Sequence, residues 1–271
     1  MIEFSRQGLR FPVTDGGPAD GEPVVLLHGF PQDATSWDRV APLLHAGGLR
    51  TLALTQRGYA STARPRRRRD YRLGELVADV RALVDEVGAP VHLVGHDWGG
   101  GVAWAVADRH ADVIRSLTVV STPHPAATKT ALLRSSQGVR SWYMGFFQLP
   151  AVPELTLAPI LARSLRNSGL PADRADHYAA VTREDGALTA ALNWYRGIPL
   201  DRVLTVGDVT VPTTYLWGRH DFALGRYAAE ATEDHVTADY TFVPLDAGHW
   251  IPETHPADVA DAILRRTSHT G

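Results

Sequence analysis

The segment Gly95-His96-Asp97-Trp98-Gly99 constrains this chain more than any other. It follows an apolar run, Pro90-Val91-His92-Leu93-Val94, and precedes a small-residue run from Gly100 to Ala107. That order reads as strand, Gly-x-nucleophile-x-Gly turn, helix. The glycines are demanded by geometry, because the turn is too tight for Cβ atoms to pass each other. The central residue is pushed into strained backbone with its side chain above the sheet. Here that residue is Asp97 where a hydroxyl would serve an esterase. A carboxylate is a poor reagent for acyl transfer. It can, however, displace a leaving group from saturated carbon, giving an alkyl ester that water must then hydrolyse. One side chain thus moves the expectation from ester cleavage to the opening of an epoxide or a carbon–halogen bond.

The surrounding chain alternates strands with helices. Glu22–Gly29 reads as a buried strand ending in a glycine turn, Ser36–His45 as a helix with Ser36 at its N-cap, and Arg50–Leu54 as a strand. A polar loop spans 55–71. Leu73–Val87 has helical apolar spacing and stops at Gly88. After the elbow, Val113–Val120, Pro212–Gly218 and Tyr240–Val243 read as strands, with helices near Arg226–Glu233 and His255–Arg266. Such alternation predicts a mostly parallel, doubly wound α/β sheet. Between about 126 and 204 there is no clear strand, only apolar helical segments broken by prolines. The expected organisation is a core of residues 1–125 and 205–271, with a helical cap of residues 126–204 inserted after the sixth core strand.

A nucleophile needs a base, and the base needs an orienting group. His249, in Asp246-Ala247-Gly248-His249-Trp250, follows the last strand. Asp221, in Trp217-Gly218-Arg219-His220-Asp221, follows the strand before it. Both fall at the carboxyl edge of the sheet, where such sites form. The chain order nucleophile Asp97, acid Asp221, base His249 is that of α/β-hydrolases. Asp246 also lies near His249 but is read as ending its strand. The loop Ser121–Pro125 offers no carboxylate. Hydrolysis of an Asp97 ester requires two backbone donors for the tetrahedral oxygen. The N–H groups of Trp98 and of Phe30, in the turn His28-Gly29-Phe30-Pro31, are the candidates, with a cis bond at Pro31 fixing the turn. His28 and His96 are read as hydrogen-bonded supports of the elbow.

These motifs, together with Arg57-Gly58-Tyr59 and Ser121-Thr122-Pro123, resemble the α/β-hydrolase-fold epoxide hydrolases over nearly the whole chain. The resemblance implies two cap tyrosines that donate to the epoxide oxygen. Asn193-Trp194-Tyr195-Arg196 matches one segment, and Tyr143, shortly before Phe147-Gln148, matches the other. A tyrosine hydroxyl, ionising near ~10, stays a donor at neutral pH. The cap aromatics Trp142, Phe146, Phe147 and Trp194 imply a pocket for an apolar or aromatic epoxide. Haloalkane dehalogenases share much of the motif set. In many of them an Asn cradles halide at the position of Phe30, and the fluoroacetate branch carries Arg where Trp98 stands. A pocket that binds without turnover is the non-enzymatic alternative.

Composition narrows the rest. A net charge of −3 gives no reason to expect a nucleic-acid partner. The absence of cysteine removes disulfides and thiolate chemistry. There is no apolar run of membrane-spanning length and no signal-peptide pattern at the start, so a cytoplasmic protein is expected. The histidines show no metal-ligand spacing and no phosphate-binding glycine loop is present, so neither metal nor cofactor is expected. The oligomeric state is left open, a homo-oligomer included. Arg66–Arg69 reads as a solvated run.

Overall fold

The strand Pro23–Leu27 (β3) shows how the sheet acquires two buried faces. Val25 and Leu27 enter one apolar cluster with Leu93, Val102 and Trp104, while Val24 and Leu26 enter another with Val94, Leu216 and Ile263. Successive side chains of a strand point to opposite faces, so a strand apolar at every position must be covered on both. A computed structural model describes residues 2–201 and 205–268. The end of the expected cap, at 204, and the last residues of the expected core lie outside them.

Among the described residues the sheet has eight strands in the order β1-β2-β4-β3-β5-β6-β7-β8. They are β1 (Ile2–Arg6), β2 (Leu9–Gly16), β3, β4 (Arg50–Leu54), β5 (Val91–His96), β6 (Ile114–Val120), β7 (Thr213–Gly218) and β8 (Tyr240–Leu245). From β4 to β8 every pairing is parallel, and β1 and β2 add an antiparallel edge. Around it run α1 (Ala41–Ala46), α2 (Leu73–Val87) and α3 (Trp98–Arg109). Then come α4 (Pro125–Arg134), α5 (Gln137–Arg140), α6 (Trp142–Phe146), α7 (Val152–Leu157), α8 (Leu161–Asn167), α9 (Ala172–Val181) and α10 (Ala187–Gly197). The last are α11 (Arg226–Glu230), α12 (Ile251–Thr254) and α13 (Pro256–Ser268). Helices α2 and α3 cover one face of the sheet, and α1 and α13 the other. Among the described residues, no helix is long and apolar enough to cross a membrane.

Two details depart from the sequence reading. The expected helix Ser36–His45 is broken into a 3-10 turn, Ala34–Trp37, and the short α1. Asp33, not Ser36, is the N-cap, its side chain accepting the Thr35 N–H. The hairpin β1–β2, given no element from the sequence, pairs Phe4 with Phe11 across a turn at Gln7 and Gly8, both at positive φ.

All seven helices from α4 to α10 lie between β6 and β7. Besides Ala190, Ala191 and Trp194 of α10, which join the main core cluster, they meet the core through two apolar patches. Leu161, Leu165 and Tyr178 pack with Trp250, while Phe147, Leu188, Leu192 and Tyr195 pack against Phe30 and Trp98. The carboxyl ends of β3, β5, β7 and β8 therefore face this helical layer.

Candidate active site

Strand β5 ends at His96, and the chain reverses sharply into α3. Asp97 sits at φ 49° and ψ −121°, a conformation that costs a non-glycine residue energy and projects its side chain off the sheet. The flanking glycines pay for no side chain of their own because there is no room. A Cβ on Gly95 would lie 2.3 Å from Gly99 O, and one on Gly99 would lie 2.3 Å from Leu27 O. Backbone bonds hold the strained residue: the Asp97 carbonyl accepts from Gly101 N–H at 3.0 Å and from the Thr122 hydroxyl at 2.7 Å.

The loops after β7 and β8 bring the other two groups. His249 Nδ1–H donates to Asp221 Oδ2 at 2.8 Å, and His249 Nε2 stands 3.5 Å from Asp97 Oδ2. Asp221 Oδ1 is held by the N–H groups of Ala223 and Leu224, at 2.7 and 3.0 Å. Asp246 is turned outward to His220, at 2.7 Å, and takes no part. Burial alone would lower the pKa of His249, but Asp221 and Asp97 outweigh it and raise it to about 10. Burial would likewise raise Asp97; the hydrogen bond and charge of His249, together with the Phe30 N–H, hold it below the ordinary carboxylate range.

The turn after β3 lies against the elbow. The Phe30–Pro31 bond is cis, and the Phe30 N–H donates to Asp97 Oδ1 at 2.8 Å. Trp98 opens α3, so its N–H belongs to the first turn, which has no partner within the helix. His28 accepts the Gln56 N–H at 3.1 Å, and His96 stands between Gln32 Oε1 and His249 O at 2.9 and 3.0 Å. Burial pulls both imidazoles down to about 4, so they are neutral supports.

Above Asp97 lies a cavity of about 510 Å³ lined by Phe30, Tyr143, Phe146, Phe147, Tyr195 and His249 among others, with Trp142, two-thirds exposed, at its mouth. A second chamber of about 290 Å³ is lined by Trp98, Met144 and Trp194. Asp97, Tyr143 and Tyr195 line both. Trp194 therefore faces the second chamber and not the first, and its indole N–H is spent on the Arg57 carbonyl at 2.8 Å. Tyr143 and Tyr195 are neighbours, with ring centroids 6.1 Å apart. Burial, reinforced by the negative charge of Asp97, pushes both hydroxyls above their ordinary pKa.

Sequence reasoning missed the buried supports. Arg57 forms a two-armed ion pair with Asp79, 2.7 Å on each arm, fixing the loop on which Trp194 rests. Gln32 and Glu253 bond to each other across 221 residues of chain. No motif spacing could have paired them.

Residues 22–256 match the family model described as alpha/beta hydrolase fold. The chain is 34% identical to the AB hydrolase superfamily protein YfhM of Bacillus subtilis, over 95% of this chain and 94% of that protein. It is 33% identical to epoxide hydrolase 3 of Xenopus tropicalis, covering 95% of this chain and 74% of the relative. For epoxide hydrolase A of Mycobacterium tuberculosis the identity is 30%, over 95% and 94%. The crystal structure of epoxide hydrolase A from Mycobacterium thermoresistibile superposes with a TM-score of 0.84 at 26% identity, covering 98% of this chain and 97% of that one. With the fold, the elbow and these relatives agreeing, the chain belongs to the epoxide hydrolases of the α/β-hydrolase fold.

Proposed function

We propose that this protein hydrolyses an epoxide to a vicinal diol through a covalent ester on Asp97. The observation that carries the reading is the position of Asp97, one oxygen held by Phe30 N–H and the other facing His249, beneath an apolar cavity that two tyrosines share. Asp97 Oδ2 attacks a ring carbon, and the carbon–oxygen bond breaks toward Tyr143 and Tyr195. A tyrosine gives its proton to the departing alkoxide and recovers one from solvent. Asp97 Oδ1, already bonded to Phe30 N–H, becomes the ester carbonyl and needs no movement to enter the oxyanion hole, with the Trp98 N–H as second donor.

Ester formation also prepares the base. A His249 held near 10 by two carboxylates is a cation in the resting state. Alkylation neutralises Asp97, removes part of what raised the pKa, and lets His249 lose its proton. Neutral His249, oriented by Asp221, takes a proton from water as the water attacks the Asp97 carbonyl. Collapse returns the carboxylate and releases the diol. In this reading residues 126–204 are the cap that carries the ring-opening tyrosines, over a core of residues 1–125 and 205–271. The two chambers meeting at Asp97 favour an apolar epoxide bearing a substituent on each ring carbon. Phe30 offers no side-chain donor where a second halide ligand would be wanted, which disfavours dehalogenation.

The test is a single turnover with excess enzyme in ¹⁸O-water. The first diol should be almost unlabelled, with the label in the peptide containing Asp97. A fully labelled first diol means direct attack by water and ends the ester reading. Release of halide from haloalkanes without epoxide turnover would favour the dehalogenase, and neither activity a binding protein.

A further inference from the structure

Behind the elbow lies a buried polar chain that this reaction does not use. Gln32 is fully buried beside the Phe30–Pro31 turn. Its Oε1 accepts the Gly29 N–H at 3.0 Å and stands 2.9 Å from His96 Nδ1. Since an N–H must face an oxygen, the amide can point only one way. Its Nε2 then donates to Glu253 Oε1 at 2.5 Å, and the Tyr178 hydroxyl of α9 donates to the same oxygen at 3.1 Å. At the other end, the single N–H of neutral His96 serves either Gln32 Oε1 or, through Nε2 at 3.0 Å, the His249 carbonyl, which accepts from the Ser121 hydroxyl at 2.7 Å. Through Gln32 the chain joins the inserted helices to the turn carrying Phe30 N–H, and His96 packs that turn against the loop carrying His249.

Glu253 is a costly residue to keep there. It is 1% exposed, and its Oε2 has no hydrogen-bond partner. Burial raises its pKa to about 7, against the opposing pull of Gln32, Tyr178 and the Arg174 charge. Arg39 reaches only its carbonyl, and Asp33 acts on the neighbouring His28 and Tyr178. A leucine of similar size would fill the space without the desolvation cost. What Glu253 provides that leucine cannot is an acceptor that holds Gln32 in one orientation.

We propose that Glu253 is a positioning residue which, through Gln32, sets the Gly29–Phe30 backbone and His249 for hydrolysis of the Asp97 ester. The inference rests on the covalent reading above. Ring opening draws on Asp97 and the cap tyrosines and is largely indifferent to this chain. Ester hydrolysis draws on the oxyanion donor and the base, both of which the chain locates.

The experiment is rapid-quench mass measurement of ester formation and decay, using trans-stilbene oxide and four proteins: wild type, Glu253→Leu, Gln32→Met and Glu253→Gln. Losing an oxyanion donor outright costs ~10²–10³-fold, so a displaced one should slow hydrolysis at least ~10-fold in Glu253→Leu and Gln32→Met, with ester formation within ~3-fold of wild type. Glu253→Gln keeps an acceptor for Gln32 and should restore hydrolysis to within ~3-fold. Gln32→Met reports on the same link if Glu253→Leu does not fold. Parallel loss of both steps, or unchanged hydrolysis in a folded variant, overturns the proposal while leaving the covalent reading intact. Diol formation with no ester, even in His249→Gln, would sink both.

Discussion

His249 is worth following as a single charge. Three electrostatic facts act on it: burial, Asp221 at 2.8 Å and Asp97 at 3.5 Å. Asp97→Asn removes one carboxylate while keeping the shape of the site. The His249 pKa should therefore fall from about 10, and imidazole titration by NMR will read the change. An unchanged value would mean that Asp97 does not govern the base, and the proposed release of His249 by alkylation would fail. The tyrosines are the second residue-scale case. Tyr195→Phe should slow ring opening more than ~10-fold, and Tyr143→Phe with Tyr195→Phe should nearly abolish it, by the usual reach of general-acid catalysis. Normal epoxide opening by the double variant would reduce the cap to a lid. Asp97, Asp221 and His249 were legible in the sequence because each follows a recognisable strand, and strand ends are local. Gln32 and Glu253 were not, because each is an ordinary polar residue until the fold puts the other beside it.

At the scale of elements, the elbow is strand, turn and helix pressed together until only glycine fits. Gly99→Ala would set a Cβ 2.3 Å from Leu27 O and 2.6 Å from His28 O, contacts with backbone that cannot step aside. The variant should lose about 3 kcal/mol or more of stability in urea unfolding, in the upper range for a point change in a packed interior. A loss below about 1 kcal/mol would show that α3 can slide away from β3, and that the elbow is less tightly determined than its glycines imply. Helix α2 was readable residue for residue: its apolar spacing is regular and Gly88, at φ 71°, closes it. The stretch from Ser36 to His45 misled because its apolar residues share a helical spacing, while Asp33 caps a turn earlier and Pro42 restarts the helix. The β1–β2 hairpin was silent because its buried members, Phe4, Phe11 and Val13, are spread among polar residues that face solvent.

For the whole molecule, Glu253 links stability to pH. Its pKa rises from 4.5 to about 7 on folding, so the folded state prefers the protonated form. That contribution is fully present below about 4.5 and is lost as pH rises through about 7. At ~1.4 kcal/mol per unit, the change is about 3 kcal/mol. Glu253→Gln has no proton to lose. Its stability relative to wild type should therefore improve by roughly that amount between pH 4 and pH 8.5, measured by denaturant unfolding at each pH. An equal difference at both values would place the Glu253 carboxyl in contact with water.

The sequence by itself determined the α/β alternation, the elbow and the order of Asp97, Asp221 and His249 along the chain. Each of these is written in neighbouring residues: a period of two or 3.6, a glycine where no Cβ fits, a polar group at a strand end. Tertiary structure alone decided how the carboxylate chosen from the sequence, Asp221, is held toward His249. Asp221 and Asp246 both lie within one loop of the sheet edge, but two backbone N–H groups turn Asp221 inward while Asp246 pairs with His220 at the surface. It also decided that Trp194 faces the second chamber, because its indole is tied to Arg57. The division has a physical cause. Local geometry is fixed by steric limits that adjacent residues carry with them, whereas the direction of a side chain is fixed by partners that the chain brings from far away.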